Sequence, residues 1–256
     1  MSAPSFVSTR PIGDGELVHE RLGAAFDHAV SEYDTARRVE ALIGGFLGDI
    51  DIAGASVLDV GCGLGFFARA LQARGANVIA CDIGIDLVAR VRMTVGCECV
   101  RADALSLVDQ FGTDRFDIVL SSECIEHTPS PERALQQMSR ILKPGGRLSV
   151  STPNVVWYPV VRLATLANLR PFNGPENFST FGSMRRVLEA EGLRVVAERG
   201  LHLFPFQLRC FAVSRWCDER LQPLRRLMIN LCVLAEKPGE GGARLISTST
   251  GQADQA

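Results

Sequence analysis

Residues 56–71 read "SVLDVGCGLGFFARAL". A short aliphatic run carries Asp59 near its end, glycines follow at 61, 63 and 65, and the spacing then turns helical. A strand that passes through three glycines into a helix lets a ligand approach the backbone, because glycine permits both the tight turn and the close contact. In open α/β sheets such ligands bind beyond the carboxyl ends of the strands. The turn is not a phosphate loop, since GxxxxGK[ST] is missing. Nor is it the dinucleotide fingerprint GxGxxG, whose third glycine falls on Phe66. A carboxylate at Asp59 faces a pyrophosphate badly and suits a cationic ligand such as an amino group.

Outward from this turn, strands and helices alternate. Strands are expected at 55–60, 76–82, 97–103, 115–122, 146–154, 193–200 and 227–237. Helices are expected at 66–75, 86–93, 130–146 and 183–192; the third opens on Ser130 and Pro131, a serine cap followed by a first-turn proline. This rhythm predicts an α/β fold: a doubly wound, mostly parallel, seven-stranded Rossmann-like sheet with helices on both faces. Residues 1–50 are expected to form a helical extension or lid, with two helices in 16–48. Residues 51–237 form the ligand-binding domain, with insertions at 155–180 and 204–226, and 238–256 form a disordered tail.

Composition narrows the function classes. A length of 256 residues suits one domain with extensions. A net charge of −2 argues against a nucleic-acid partner. The N-terminal residues lack an apolar signal core, and no apolar run reaches the length of a membrane span, so a cytoplasmic protein is expected. The eight cysteines form no CxxC pair and no zinc-type set with histidine, so buried reduced thiols and no metal are expected.

Two further strand ends carry acids. Asp82 lies about 20 residues beyond the glycines, where an acid accepts hydrogen bonds from ribose hydroxyls. Asp103, in "RADAL", is placed to accept from an exocyclic amine. With these in hand, "VLDVGCGLGFF", the acid of "ACDIG", "RADAL", "FDIVLSSECIEHTPSPERALQQMSRILKPGG" and "LSVSTPN" resemble the successive motifs of class I S-adenosylmethionine-dependent methyltransferases. The likeness is closest over 55–154. Within that family the chain is most similar to the branch of ubiquinone-biosynthesis O-methyltransferases, through "IEHTPSP" and "STPN".

The resemblance implies S-adenosyl-L-methionine as cofactor, with Asp59, Gly61, Cys62, Gly63 and Gly65 around its methionine part. It implies Asp82 at the ribose, Ile83 against the adenine, Asp103 and Ala104 at the adenine edge, and Ser122 near the methionyl end. Arg37, or its neighbour Arg38, is the expected partner of the cofactor carboxylate.

The implied chemistry is in-line methyl transfer to a small-molecule acceptor, natural-product, quinone-like or glycan- or lipid-linked. An oxygen acceptor needs a base. His127, following strand 4, is the first candidate and His202 a second; Glu123 is a further catalytic candidate through contact with the acceptor or with a metal. The insertions "VVWYPVVRLATLANLRPF" and "LHLFPFQLRCFAVSRWC" predict a lipophilic acceptor, a lid, or a dimer contact, with a lid preferred over membrane association. Monomer and homodimer both stay open. The other readings are an N-methyltransferase, an NAD-dependent oxidoreductase and a non-catalytic cofactor-binding subunit. The second is disfavoured because Tyr158 is followed at the fourth position by Arg162, not lysine.

Overall fold

The computed structural model describes residues 31–166, 176–204 and 208–239. The expected first N-terminal helix and most of the expected tail lie outside these residues. So do 167–175 of the first insertion and 205–207 of the second.

Helix α1 (Glu32–Val39) continues into a wider π-type turn, Glu40–Gly45. Then follow β1 (Ser56–Val60), α2 (Phe66–Gln72), β2 (Asn77–Asp82), α3 (Ile85–Thr94), β3 (Glu98–Arg101), α4 (Leu107–Phe111) and β4 (Phe116–Ser122). A short 3-10 turn, Ile125–His127, leads to α5 (Pro131–Arg140) and β5 (Leu142–Pro153). The chain continues through α6 (Tyr158–Leu166), α7 (Phe181–Ala190), β6 (Arg194–Leu201), α8 (Phe211–Arg220) and β7 (Asn230–Glu236).

The seven strands lie in the order β3-β2-β1-β4-β5-β7-β6. All neighbours pair in parallel except β7, which runs antiparallel to β5 and β6. The order reverses between β1 and β4, which is where such sheets open a crevice for a ligand. Each strand alternates between two cores. Val57 of β1 and Ile118 and Leu120 of β4 join Phe67, Ala68, Leu71, Val88 and Val91 on one face. Leu58, Val60 and Val119 join Leu135, Met138, Met184 and Leu188 on the other. Truncating a fully buried Leu71 or Leu58 to alanine would cost about 2–5 kcal/mol.

One local reading needs correction. The fifth strand begins at Leu142 rather than 146: Leu142 pairs with Phe116, and the register slips before Arg147 pairs with Ile118. The Pro-Gly-Gly run therefore forms an irregularity within the strand, with Gly145 N–H donating to Lys237 O and Lys237 N–H to Gly146 O. The second insertion carries α8 and the turn Gln222–Leu227. The Ser130 cap holds as expected, its Oγ accepting the Arg133 N–H at 3.2 Å with Pro131 in the first turn.

Candidate active site

At the end of β1 the backbone turns back on β2: the N–H groups of Gly61 and Cys62 both donate to Cys81 O, at 2.8 and 3.0 Å. Gly61 has φ +71°, and a Cβ there would collide with the side chain of Cys124. Gly65 starts α2 at φ +79°, where a Cβ would press into Val95 and Val91 of the α3 end. The Gly63 N–H donates to Asp82 Oδ2 at 3.0 Å, and the Gly84 N–H to Asp82 Oδ1 at 3.0 Å. Asp82 thus ties the first glycine turn to the turn after β2, and both oxygens retain lone pairs for a ligand.

Asp59 lies under this turn, buried, with Oδ2 lacking a hydrogen-bond partner. Burial raises its carboxyl to about 7; the Ala68 N–H opposes that rise and the Asp82 charge adds to it. Further along the sheet edge, half-buried Ile83 accepts Arg101 Nε at its carbonyl, at 3.0 Å. Asp103 is exposed and folds its Oδ1 onto the Leu105 N–H at 2.9 Å, and Ala104 beside it is buried. The three acids stand at successive strand ends on the carboxyl edge.

Beyond β4 the site becomes a cluster of carboxyls around one guanidinium. Arg38 Nη1 donates to Ser122 Oγ at 2.7 Å, and Ser122 Oγ and Ser151 Oγ lie 2.9 Å apart. Ser151 Oγ donates to Glu123 Oε1 at 3.0 Å, and Thr152 Oγ1 to Glu126 Oε2 at 3.3 Å. Burial pushes Glu123 up to about 7, with the charges of Glu126 and Asp34 adding and that of Arg38 opposing. Burial pushes Glu126 up to about 8, with Thr152 and Arg38 opposing. Near neutral pH these two carboxyls titrate while Asp34 stays ionised, so a single cation does not face three full negative charges. His127 is the more exposed member of its turn, and its Nε2 lies 3.8 Å from Glu126 Oε1.

Three histidine and arginine expectations meet the geometry differently. Arg37 does not point to Ser122; its guanidinium pairs with Glu40 and Asp218. Its neighbour Arg38 is the one that reaches Ser122, because successive helix positions differ by about 100°. His202 is fully buried between Asp34 and Ser214, closed to an acceptor, and so does not serve as the second base. His19 and His28 lie outside the described residues. Asp34 was not singled out from the sequence; the signal was its i,i+4 spacing to Arg38, at which the two form a 2.9 Å ion pair.

A cavity of about 420 Å³ opens at the opposite edge of the sheet, lined by Ser56, Asn77, Glu98 and Arg115. It meets none of the strand-end acids. Among the described residues no group of three or more histidine, cysteine or acidic side chains is arranged to hold a metal, and no helix is long and apolar enough to cross a membrane.

A family model described as "Methyltransferase domain" matches residues 31–198, more than half of the chain. The chain belongs to the methyltransferase domain family. It is an S-adenosylmethionine-dependent methyltransferase. This methyltransferase is 30% identical over 172 residues to a ubiquinone biosynthesis O-methyltransferase of Coxiella burnetii, covering 62% of this chain and 71% of the relative. It is 38% identical over 109 residues to one of Xanthomonas oryzae pv. oryzae, covering 41% and 46%. Among solved structures it matches magnesium protoporphyrin IX methyltransferase of Synechocystis, determined with bound SAH, at a TM-score of 0.63 and 15% identity, covering 88% of this chain and 100% of that one. The residues of the site fit the cofactor: an orphaned, buried carboxyl oxygen of Asp59 lies beside the glycine-rich turn, which suits a ligand carrying a cationic amino group.

Proposed function

We propose that this methyltransferase methylates a hydroxyl oxygen of a small acceptor, with His127 as the general base. The observation that carries the reading is the pair formed by His127 Nε2 and buried Glu126 Oε1, 3.8 Å apart, at the carboxyl end of β4. The names of the relatives support the oxygen acceptor. A quinone-like ring or another acceptor with an apolar body suits the exposed apolar residues of the first insertion, Val156, Val160 and Leu163.

In this reading Asp59 and the backbone of Gly61, Cys62, Gly63 and Gly65 hold the methionine part of the donor. Asp82 accepts the ribose hydroxyls. Ile83 covers the adenine, and Asp103 and Ala104 meet its edge. Ser122 and Arg38 receive the carboxylate end, Arg38 because it is the guanidinium that reaches Ser122. When bound, S-adenosylmethionine supplies a methyl group already activated on a sulfonium. The protein then has to align the acceptor oxygen, exclude water and remove one proton. His127 takes the hydroxyl proton at its imidazole. The ionised form of Glu126, whose Oε1 lies 3.8 Å from Nε2, stabilises the imidazolium so formed. Glu123, held by Ser151, orients the acceptor.

The test is methyl transfer from radiolabelled donor onto a panel of phenols, catechols and sugar hydroxyls beside matched amines. Label on hydroxyl acceptors, lost in His127→Ala, supports the reading. Label on amines alone replaces it with N-methylation.

A further inference from the structure

We infer that His202 and Asp34 are positioning residues, which set the guanidinium of Arg38 at the donor end of the site and so couple the β6–β7 insertion to donor binding. The inference rests on the reading that Arg38 receives the donor's carboxylate.

The Asp34 carboxylate is divided between two partners. Its Oδ2 accepts from both Arg38 Nε, at 3.1 Å, and Arg38 Nη2, at 2.9 Å. Its Oδ1 lies 2.9 Å from His202 Nε2. That leaves Nη1 as the arm of Arg38 that reaches Ser122. A guanidinium is planar, so holding two of its nitrogens fixes the direction of the third.

His202 is itself held from all sides. Its Nδ1 lies 3.4 Å from Ser214 Oγ of α8, and its N–H donates to Asp218 Oδ1 at 2.7 Å. Asp218 Oδ2 in turn accepts Arg37 Nη2. Asp34, Arg37, Arg38, His202, Ser214 and Asp218 are all buried. A plain structural clasp between α1 and α8 would not need a strained backbone, yet His202 sits at φ +63°. Only four non-glycine described residues have positive φ, and another is Glu123 at +51°, at the far end of the same hydrogen-bonded chain through Ser122 and Ser151. Strain of this kind persists where the surroundings hold a side chain in one needed direction.

The experiment is calorimetric titration of S-adenosylhomocysteine into the full chain and its variants, with melting temperature as the fold control. Arg38→Met should raise Kd about tenfold or more, the loss of a hydrogen bond to a charged group. His202→Leu and Asp34→Asn should each raise Kd about tenfold, and His202→Gln, which keeps an N–H for Asp34, should recover most of the loss. In the Arg38→Met background neither substitution should have a further effect, because both act through Arg38. Asp34→Asn is isosteric and keeps the test open should His202→Leu not fold. A folded variant at either position with Kd within twofold of wild type, or losses that add to that of Arg38→Met, overturns the inference. An unchanged Kd in Arg38→Met overturns instead the reading on which it rests.

Discussion

Asp82 bridges the turns that follow β1 and β2, accepting Gly63 N–H on one oxygen and Gly84 N–H on the other, each at 3.0 Å. The acid at the end of β2 is therefore the brace of the glycine turn and, in the proposed function, a partner of the donor as well. Removing it should affect the ligand and the apo protein together.

Asp82→Ala is expected to lower affinity for S-adenosylhomocysteine at least tenfold, because a charge-assisted hydrogen bond contributes about 1.5–3 kcal/mol. It should also lower the melting temperature of the ligand-free protein, since two backbone donors lose their acceptor. Asp82→Asn, which keeps one acceptor oxygen, should fall between wild type and Asp82→Ala in calorimetry. Wild-type affinity in a folded Asp82→Ala protein would remove Asp82 from the donor site.

His127→Ala should lower kcat by about 100-fold while leaving the Kd for S-adenosylhomocysteine within twofold. The split distinguishes a base from a loop-former. A few-fold loss of kcat, or a matching loss of donor affinity, would assign His127 to the architecture of the Ile125–His127 turn.

Stability of the ligand-free protein should fall as pH rises towards 8. Asp59, Glu123 and Glu126 have folded pKa values raised to about 7, 7 and 8, so each holds a proton in the folded chain that the unfolded chain releases near pH 4. Their contribution is full below that pH and is lost as pH rises through 7 to 8. Asp34 acts in the opposite direction. Burial alone would raise it, but Arg38 and His202 pull it down to about 2, so its contribution is present above pH 4 and lost as pH falls towards 2. Melting temperature should therefore peak near pH 4 and decline above it, and Glu126→Gln should flatten that decline. An unchanged slope in that variant would contradict the assignment.

Donor binding should release protons near neutral pH. A cationic amino group beside Asp59 favours the carboxylate, and that carboxyl titrates at about 7 in the ligand-free protein. Calorimetry at pH 7 in phosphate and in Tris, whose ionisation enthalpies differ, should report release of up to about half a proton. Asp59→Asn should abolish the difference between buffers; an unaltered difference would place the released proton elsewhere.

The strand-turn-helix around Asp59 and the acids at Asp82 and Asp103 could be read directly, because each sits at a local change of periodicity that neighbouring residues already announce. The choice between Arg37 and Arg38 could not. Both lie on one helix, and which one faces Ser122 depends on how α1 docks on strands 84 residues away in sequence. His202 was legible as a titratable residue near a strand end, but its burial comes from α8, inside a segment whose apolar and basic residues gave no clear period. The early start of β5 was hidden by Pro144, Gly145 and Gly146, which mark a turn in isolation but here occupy a register slip.

The most direct test is a crystal structure of the protein with S-adenosylhomocysteine. The account predicts the ligand across the β1–β4 crevice, its amino group beside Asp59 and the Gly61–Gly63 backbone, its ribose hydroxyls on Asp82 and its carboxylate on Arg38. A ligand bound away from this edge, or in the crevice with its ribose remote from Asp82, would contradict it.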